Sequence, residues 1–250
     1  LHYPLRRQRQ MCIRDSPWAE ELLGEAKPEV IYNTATGFTA DTFEQVTAAD
    51  PTQIIAVNQA VDARTKESLE EIAPTTVKPN GYEDWQVPWK KQVETIADAV
   101  GKEDEGDKLI DDTEKAFEEF RHEHAELQDK SAAIVMPYDG KIGLYTEEDG
   151  RGQFIEDLGM EIPDALQGDG GSFFVDIAPE NYAKLNQVDY LFVLDYNGSS
   201  AALKKDKTFQ GLDIVKDGRV RYLDTDTGNA MSMPNPVTIP WAVDKFEEKL

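Results

Sequence analysis

Aromatic side chains follow several apolar stretches of this sequence, and rings in such positions can hold a ligand. Tyr138, Tyr145 and Tyr196 each lie at or just after the end of an apolar run with the length of a buried strand, and Phe173 and Phe174 form an adjacent pair in a loop. Open α/β sheets bind ligands outside the carboxyl ends of their strands. We therefore expect these five rings to contribute to ligand binding.

A tryptophan and an arginine extend this set. Trp85 lies in GYEDWQVPWKKQVETIADAV (residues 81–100), four positions before Trp89. Either both indoles belong to the apolar stripe of a helix, or Trp85 stands at the helix start on the wall of a ligand cleft while Trp89 is in the core. Arg151 lies in a glycine-flanked loop that leads into a helix, where its guanidinium could bind an anion through two N–H groups.

Motifs for several other kinds of chemistry are missing from the sequence. It contains no G-x-x-x-x-G-K-[ST] phosphate loop, no G-x-G-x-x-G before a helix and no G-x-S-x-G elbow. His122 and His124 are two residues apart on a predicted helix and so point in different directions, His124 to the edge of the core and His122 to solvent, which disfavours a transition-metal site. An enzyme that uses a pair of carboxylates remains open, with Glu147–Asp149 interpreted as a solvated loop.

The first sixteen residues, LHYPLRRQRQMCIRDS, are basic, whereas the chain as a whole has a net charge of −23. They match the translation of a transposase sequencing adapter, so residues 1–16 are predicted to be an adapter artefact and are left out of the fold prediction. On this interpretation Cys12, the single cysteine, is not native. The native N-terminus, with any export signal or lipid-anchored cysteine, then lies outside this sequence.

The acidic composition restricts the possible partners. A net charge of −23 argues strongly against nucleic acid and anionic membrane surfaces as partners. The chain is 40% hydrophobic, which indicates a folded protein with a substantial core.

Apolar runs alternate with helical patterns along the chain, which predicts an α/β fold with a parallel sheet covered on both faces. The predicted strands are residues 29–33, 53–57, 132–136, 141–145, 189–194 and 219–223, and the predicted helices are residues 41–49, 65–72, 86–100, 153–158, 179–186 and 238–249. One longer helix, residues 103–127, places Leu109, Ile110, Thr113, Phe117, Phe120, His124 and Leu127 on one stripe.

Several motifs in a fixed order resemble a known family. They are AADPTQIIAV, LEEIAPT, W-x-x-P-W-x-x-Q-x-x-x-I-A-x-A-x-G-K, GRGQFIEDLG, FFVDIAPEN, GLDIVKDGRVRYLD and IPWAVDKF. Together they resemble the substrate-binding proteins of iron–siderophore ABC importers, which have the class III periplasmic binding-protein fold. The similarity covers nearly all of residues 17–250. One departure is Pro51-Thr52, where the family usually has Pro-Asp, and another is that the first strands of the N-terminal lobe are missing.

The resemblance implies two Rossmann-like α/β lobes joined by a long helix, with the ligand held in the cleft between them. It implies a truncated N-terminal lobe at residues 17–102, an interlobe helix at 103–130 and a C-terminal lobe at 131–250. It also implies an extracytoplasmic protein, periplasmic or lipid-anchored at the cell surface, which captures a ferric siderophore as a monomer and is not an enzyme. Delivery to an ABC permease would use acidic residues, for which the candidates are Glu67, Glu70 and Glu71.

Because the iron arrives within the siderophore, the resemblance predicts no metal ligand and no cofactor of the protein's own. Two alternatives remain open. A haem- or cobalamin-binding protein of the same fold would have a wider apolar cleft and, for haem, an axial ligand such as Tyr145. An α/β hydrolase-type enzyme would have two carboxylates close together, one of them with a strongly shifted pKa.

Overall fold

The structure, a computed structural model, describes residues 16–19, 22, 31, 38–168 and 171–250. The chain divides into two compact units, Leu1–Gly106 and Asp107–Leu250, called here the first and the second unit. Apart from Ile31 and Ser16, the strand predicted at residues 29–33 and the adapter-like residues 1–16 lie outside the described residues, so those predictions stay untested. The predicted domain bounds at 102/103 and 130/131 also stay predictions.

The first unit contains a small parallel sheet with helices between its strands. Strand β1 (Ile54–Ala56) pairs with β2 (Thr75–Val77), a strand that the sequence did not predict because it has only three residues. The helices are α1 (Ala40–Ala48), α2 (Ala63–Glu70) and α3 (Trp89–Val100). Side chains of Thr39 and Asp62 accept hydrogen bonds from the first turns of α1 and α2, as helix N-caps do.

The long predicted helix is confirmed in most of its length. Helix α4 runs from Glu103 to Glu123, and a short 3₁₀ turn (Ala125–Leu127) follows it. Phe117 and Phe120 of the predicted stripe are buried, whereas Leu109 near its start is 49% exposed. His124 is partly buried and His122 is exposed, as predicted.

The second unit is built on a five-stranded sheet of order β5-β4-β3-β6-β7. The strands are β3 (Ala132–Tyr138), β4 (Lys141–Tyr145), β5 (Phe174–Ile177), β6 (Tyr190–Asp195) and β7 (Val220–Asp224). Strands β3, β6 and β7 are parallel, but β4 runs antiparallel to both β3 and β5. The expectation of an all-parallel sheet is therefore wrong on this side, because Asp139 and Gly140 form a tight turn.

That turn has a simple sequence basis. Asp139 and Gly140 have φ values of 42° and 74°, and two successive positive φ values are typical of a two-residue hairpin turn. Aspartate tolerates this backbone region better than most residues and glycine adopts it freely. The Asp-Gly pair between residues 132–138 and 141–145 thus returns the chain beside β3 without a crossover helix.

The helices of the second unit are short after α4. They are α5 (Gly150–Asp157), α6 (Ser200–Leu203), α7 (Lys207–Gln210), α8 (Asp213–Lys216), α9 (Thr225–Ser232) and α10 (Thr238–Glu247). Three further segments are 3₁₀ helices, Asp164–Leu166, Pro179–Gln187 and Tyr196–Gly198. The helix predicted at residues 179–186 is therefore present in this tighter form. Among the described residues, no helix is both long and apolar enough to cross a bilayer.

Both faces of the five-stranded sheet are covered, as predicted. On one face Val135 and Val193 belong to a buried cluster with Tyr182 and Phe209. On the other face the ring of Phe192 lies 4.5 Å from that of Phe246 of α10. Since neighbouring residues of a strand point to opposite faces, each central strand needs apolar residues at successive positions, and β3 and β6 have them.

Candidate functional site

Three of the predicted aromatic residues, Tyr138, Tyr145 and Phe174, share one face of the sheet of the second unit. Tyr145 of β4 lies opposite Ile134 of β3 and opposite Phe174 of β5. Tyr138 is four positions beyond Ile134 on β3 and therefore points to the same face. The expectation that Tyr145 lies at the same sheet edge as Tyr138 and Tyr196 is wrong, because β4 is antiparallel and ends beside the middle of β3.

Phe174 is the centre of the ring contacts. Its ring centroid lies 5.5 Å from that of Tyr138, 5.4 Å from that of Tyr145 and 6.4 Å from that of Phe173. Phe173 is 45% exposed and Tyr145 only 5% exposed. The rings thus form a continuous surface that runs from an accessible rim to a buried floor.

Gly143 makes the position of Phe174 possible. A Cβ atom on Gly143 would stand 1.9 Å from Cζ of Phe174, so the ring lies directly over the backbone of β4. Any side chain at this position would occupy the space of the ring. The glycine in KIGLY is therefore explained by close approach of an aromatic ring, a role that its sequence context did not reveal.

Arg151 is fixed against the floor of this surface. Its guanidinium carbon lies 3.8 Å from the centroid of Tyr145, a cation–π contact, and its side chain is 13% exposed. The predicted glycine-flanked loop is in fact the first turn of α5, so Arg151 is a helical residue. Tyr196 belongs to the same group, since its side chain interacts with that of Arg151.

Asp149 is the site residue that the sequence analysis missed. Its Oδ1 lies 3.0 Å from Nε of Arg151, and the same carboxylate accepts a hydrogen bond of 2.9 Å from the backbone N–H of Arg151 as N-cap of α5. The interpretation of Glu147–Asp149 as a solvated loop is therefore wrong for Asp149, which is buried. The sequence does contain a signal for this role: Asp149 stands immediately before the first residue of the helix, and aspartate is a common N-cap residue.

The Asp149–Arg151 contact is an ion pair rather than an aligned hydrogen bond at Nε. Nε of Arg151 is buried and has no hydrogen-bond acceptor among the described residues, although Asp149 Oδ1 is near. Burial lowers the pKa of Arg151, but Asp149 together with Tyr196 and Tyr145 more than offsets it, so the pKa is raised. Burial also raises the pKa of Asp149, and Arg151 offsets this only in part.

The loop before α5 connects the arginine to the aromatic rim. Thr146 donates a hydrogen bond of 2.6 Å from its hydroxyl to the carbonyl of Ser172, and its N–H donates to the carbonyl of Phe173 at 3.2 Å. Gly152 lies so close that a Cβ there would be 1.9 Å from the carbonyl oxygen of Thr146. The loop, the start of α5 and the segment with Phe173 therefore form one packed unit.

We call Tyr138, Tyr145, Arg151, Phe173, Phe174 and Tyr196 the aromatic–arginine cluster. Beside it, Asp176 accepts hydrogen bonds from the hydroxyl of Tyr138 and, at 2.9 Å, from Nζ of Lys141. Burial raises the pKa of Tyr145 to about 12, and burial with Asp176 raises that of Tyr138 to about 12. Tyr138 and Lys141 also line a cavity of about 260 Å³, together with Tyr182 and Asp206.

Trp85 belongs to the first unit and lies outside helix α3. It is 46% exposed and has a φ of 69°, an uncommon backbone conformation for a residue with a side chain. The side chains of Lys78 and Asp84 form an ion pair beside it, and the backbone N–H of Val87 donates to Asn58. Trp89 is buried, which confirms its prediction as a core residue.

The three predicted docking residues lie at the end of α2. Glu67, Glu70 and Glu71 are all exposed, and Glu70 forms an ion pair with Lys66. The structure thus places them on the surface of the first unit. Their role in docking stays a prediction.

One carboxylate does have a strongly shifted pKa. Partial burial and the neighbouring Glu147 raise the pKa of Glu156 to about 7. The carboxylate-pair alternative predicts such a shift within a cleft, whereas a cleft of rings and an arginine predicts none. Glu156 is an exposed residue of α5. Among the described residues no group of three or more His, Cys, Asp or Glu side chains could hold a metal ion.

Comparisons with known proteins identify the fold. The substrate-binding protein PiaA of an iron uptake ABC transporter from Streptococcus pneumoniae is 26% identical, with a TM-score of 0.77 over 93% of this chain and 81% of that chain. PiaA in complex with ferrichrome gives 25% identity and a TM-score of 0.77 over 93% of this chain and 79% of that chain. A periplasmic solute binding protein from Mycobacterium smegmatis is 25% identical, with a TM-score of 0.79 over 93% of this chain and 78% of that chain.

A search of the curated proteins gave no match. The family of periplasmic binding proteins matches residues 15–227, which is most of the chain. The predicted class III binding-protein fold is confirmed, as is the prediction of a binding protein rather than an enzyme, since the similar proteins bind solutes. This chain belongs to the periplasmic binding protein family.

Proposed function

We propose that this protein captures a ferric siderophore and delivers it to a membrane-embedded ABC permease. The supporting observation is the aromatic–arginine cluster in a chain of this family. Its rings provide apolar contact area and its guanidinium provides N–H donors, which together suit a large organic ligand with oxygen atoms on its surface. The resemblance to PiaA, whose structure is known with ferrichrome, supports the same ligand class.

The chemistry of the cargo agrees with the residues that the site offers. Fe³⁺ prefers hard oxygen ligands, and a siderophore supplies them itself. The protein then has to hold the organic shell and leaves the metal untouched. A cluster of five rings and one arginine fits that task.

Trp85, a residue of the first unit, is proposed to contact the ligand. Its ring is exposed and its backbone has a strained conformation, and strain of this kind is concentrated at functional positions. An exposed indole offers a rigid apolar surface to a ligand at little cost in side-chain entropy.

Haem capture is less well supported than siderophore capture. An axial tyrosine binds iron as the phenolate, and a raised pKa of its hydroxyl disfavours that form. Burial raises the pKa of Tyr145 to about 12, and its ring is covered by Arg151 at 3.8 Å. No observation on this chain favours cobalamin.

The proposal is tested by titrating the folded chain with ferrichrome, a ferric tris-catecholate, ferric citrate and haemin while intrinsic tryptophan fluorescence is recorded. We expect quenching at sub-micromolar concentration by at least one ferric siderophore. Iron-free ferrichrome is the control for non-specific quenching. If every ferric siderophore fails to bind the folded protein, the proposal is wrong, and tight binding of haemin alone would replace it.

Periplasmic binding proteins are extracytoplasmic, and this location follows from the family. We propose in addition that the protein acts as a monomer, that it is lipid-anchored, and that Glu67, Glu70 and Glu71 contact the permease. Replacing these three glutamates by lysine should reduce siderophore uptake at least tenfold in cells that carry the permease and leave ligand affinity unchanged. The matched control replaces the exposed Glu118, Glu119 and Glu123 of α4, and an equal loss of uptake there would contradict the docking assignment.

A further inference from the structure

The cations beside the rings of the aromatic–arginine cluster are already paired with carboxylates. Arg151 Nε lies 3.0 Å from Asp149 Oδ1, and both side chains are almost fully buried. Lys141 Nζ lies 2.9 Å from Asp176 Oδ2. The positive charge that these two side chains bring to the ligand surface is therefore balanced within the protein.

The pairing of Arg151 is part of the local fold and does not depend on a ligand. Asp149 caps α5 and accepts the backbone N–H of Arg151 with the same carboxylate that faces Nε. Two residues of the same helix start thus hold each other. The ring of Tyr145, which lies against the guanidinium, further restricts the movement of the Arg151 side chain.

Ferric siderophores differ in charge according to their ligand groups. Three hydroxamates together balance the charge of Fe³⁺ and leave a neutral complex, whereas three catecholates leave a complex with several negative charges. An anion at the cluster would need a cation that is free to pair with it, because unpaired charge in a partly buried site is costly. The net charge of −23 of the chain adds repulsion at longer range.

We infer that the site selects electrically neutral ferric complexes, of the hydroxamate class, over anionic catecholate and carboxylate complexes, and that Asp149 sets this preference by neutralising Arg151. This inference rests on the proposed siderophore-binding function. Asp149 acts as a positioning residue, since it orients Arg151 as a hydrogen-bond donor and cancels its charge. Removing the carboxylate charge should leave an arginine that can pair with an anionic ligand.

The test compares the dissociation constants of ferrichrome, a ferric tris-catecholate and ferric citrate, measured by isothermal titration calorimetry on the wild type and on Asp149→Asn. The wild type should bind ferrichrome at least 100-fold more tightly than either anionic complex. Asp149→Asn should reduce that ratio at least tenfold by a gain in affinity for the anionic complexes. Asp149→Ser repeats the test with a residue that also caps helices well, in case the asparagine variant does not fold.

The matched control is Asp213→Asn. Asp213 is an exposed residue of α8 whose replacement changes the net charge by the same amount. It should leave the ratio unchanged, which separates the effect at Arg151 from the overall charge. A wild type that binds an anionic complex as tightly as ferrichrome, or an unchanged ratio in both Asp149 variants, overturns the inference and leaves the proposed function standing. Failure of all three complexes to bind overturns the proposed function itself.

Discussion

Arg151 has three roles among its neighbours in the second unit. It forms an ion pair with Asp149, lies on the ring of Tyr145 and interacts with Tyr196. Each of these contacts uses a different property of the guanidinium: its charge, its flat face and its N–H donors. Lysine keeps the charge and has N–H donors, but it lacks the flat face and the fixed fork of donors, so a change of arginine to lysine is informative at this position.

Arg151→Lys should weaken binding of ferrichrome by 10- to 100-fold, roughly the range expected from losing one or two hydrogen bonds to a charged donor. The measurement is a calorimetric titration of the purified variant. Arg64→Lys on the exposed surface of α2 is the control and should bind as the wild type does. An affinity of Arg151→Lys within twofold of the wild type would show that the arginine does not contact the ligand.

Three elements must approach closely for the cluster to form. Strand β4 passes under the ring of Phe174 at Gly143, the first turn of α5 contacts Thr146 at Gly152, and the hairpin at Asp139 and Gly140 returns β4 beside β3. The antiparallel course of β4 is what places Tyr145 opposite Phe174. A βαβ crossover in place of the hairpin would have put the end of this strand at the opposite edge of the sheet.

Gly143→Ala should lower the free energy of unfolding by about 1–3 kcal/mol, the usual range for an overpacked site, because the new methyl group would meet the ring of Phe174. Denaturant unfolding followed by fluorescence measures this change. Combining it with Phe174→Leu should recover part of the loss, since the smaller side chain leaves room. If Gly143→Ala is as stable as the wild type, the close approach of ring and strand is wrong.

At the scale of the whole molecule, an excess of acidic residues over basic ones makes stability depend on pH. The chain has 49 Asp and Glu against 26 Lys and Arg. Glu156 makes a defined contribution to this pH dependence. Its pKa is raised from 4.5 to about 7, mainly by partial burial and further by the negative charges of Glu147 and Asp157. A group whose pKa is higher in the folded state binds its proton more tightly there, and protonation then favours folding.

The stability that Glu156 contributes should be fully present below about pH 4.5 and lost as pH rises through about 7. The effect should not exceed about 1 kcal/mol, because this side chain is exposed to solvent. Glu156→Gln should therefore flatten the dependence of the free energy of unfolding on pH between 4.5 and 8, measured by urea unfolding at each pH. Glu123→Gln on the exposed surface of α4 serves as the comparison, and an equal flattening there would contradict the assignment.

Much of the architecture was predictable because apolar periodicity and turn chemistry are local properties. The buried strands at 132–136, 189–194 and 219–223 and the helix from Glu103 were predicted from patterns that a short window contains. Strand β5 was missed because FVDI has only four residues and, at the edge of the sheet, only Ile177 of them is buried, so the strand has no continuous apolar run.

The amino-acid sequence by itself determined the order of motifs, the family to which they belong, and the residue types that suit an organic ligand. The tertiary structure decided which of those residues meet. It brought Tyr138, Tyr145, Phe174 and Arg151 together on one sheet face, added Asp149 as the partner of the arginine, and placed Trp85 in the first unit. The reason is physical: periodicity reports which side of a strand or helix is apolar, whereas strand direction and register depend on contacts between residues far apart in the chain.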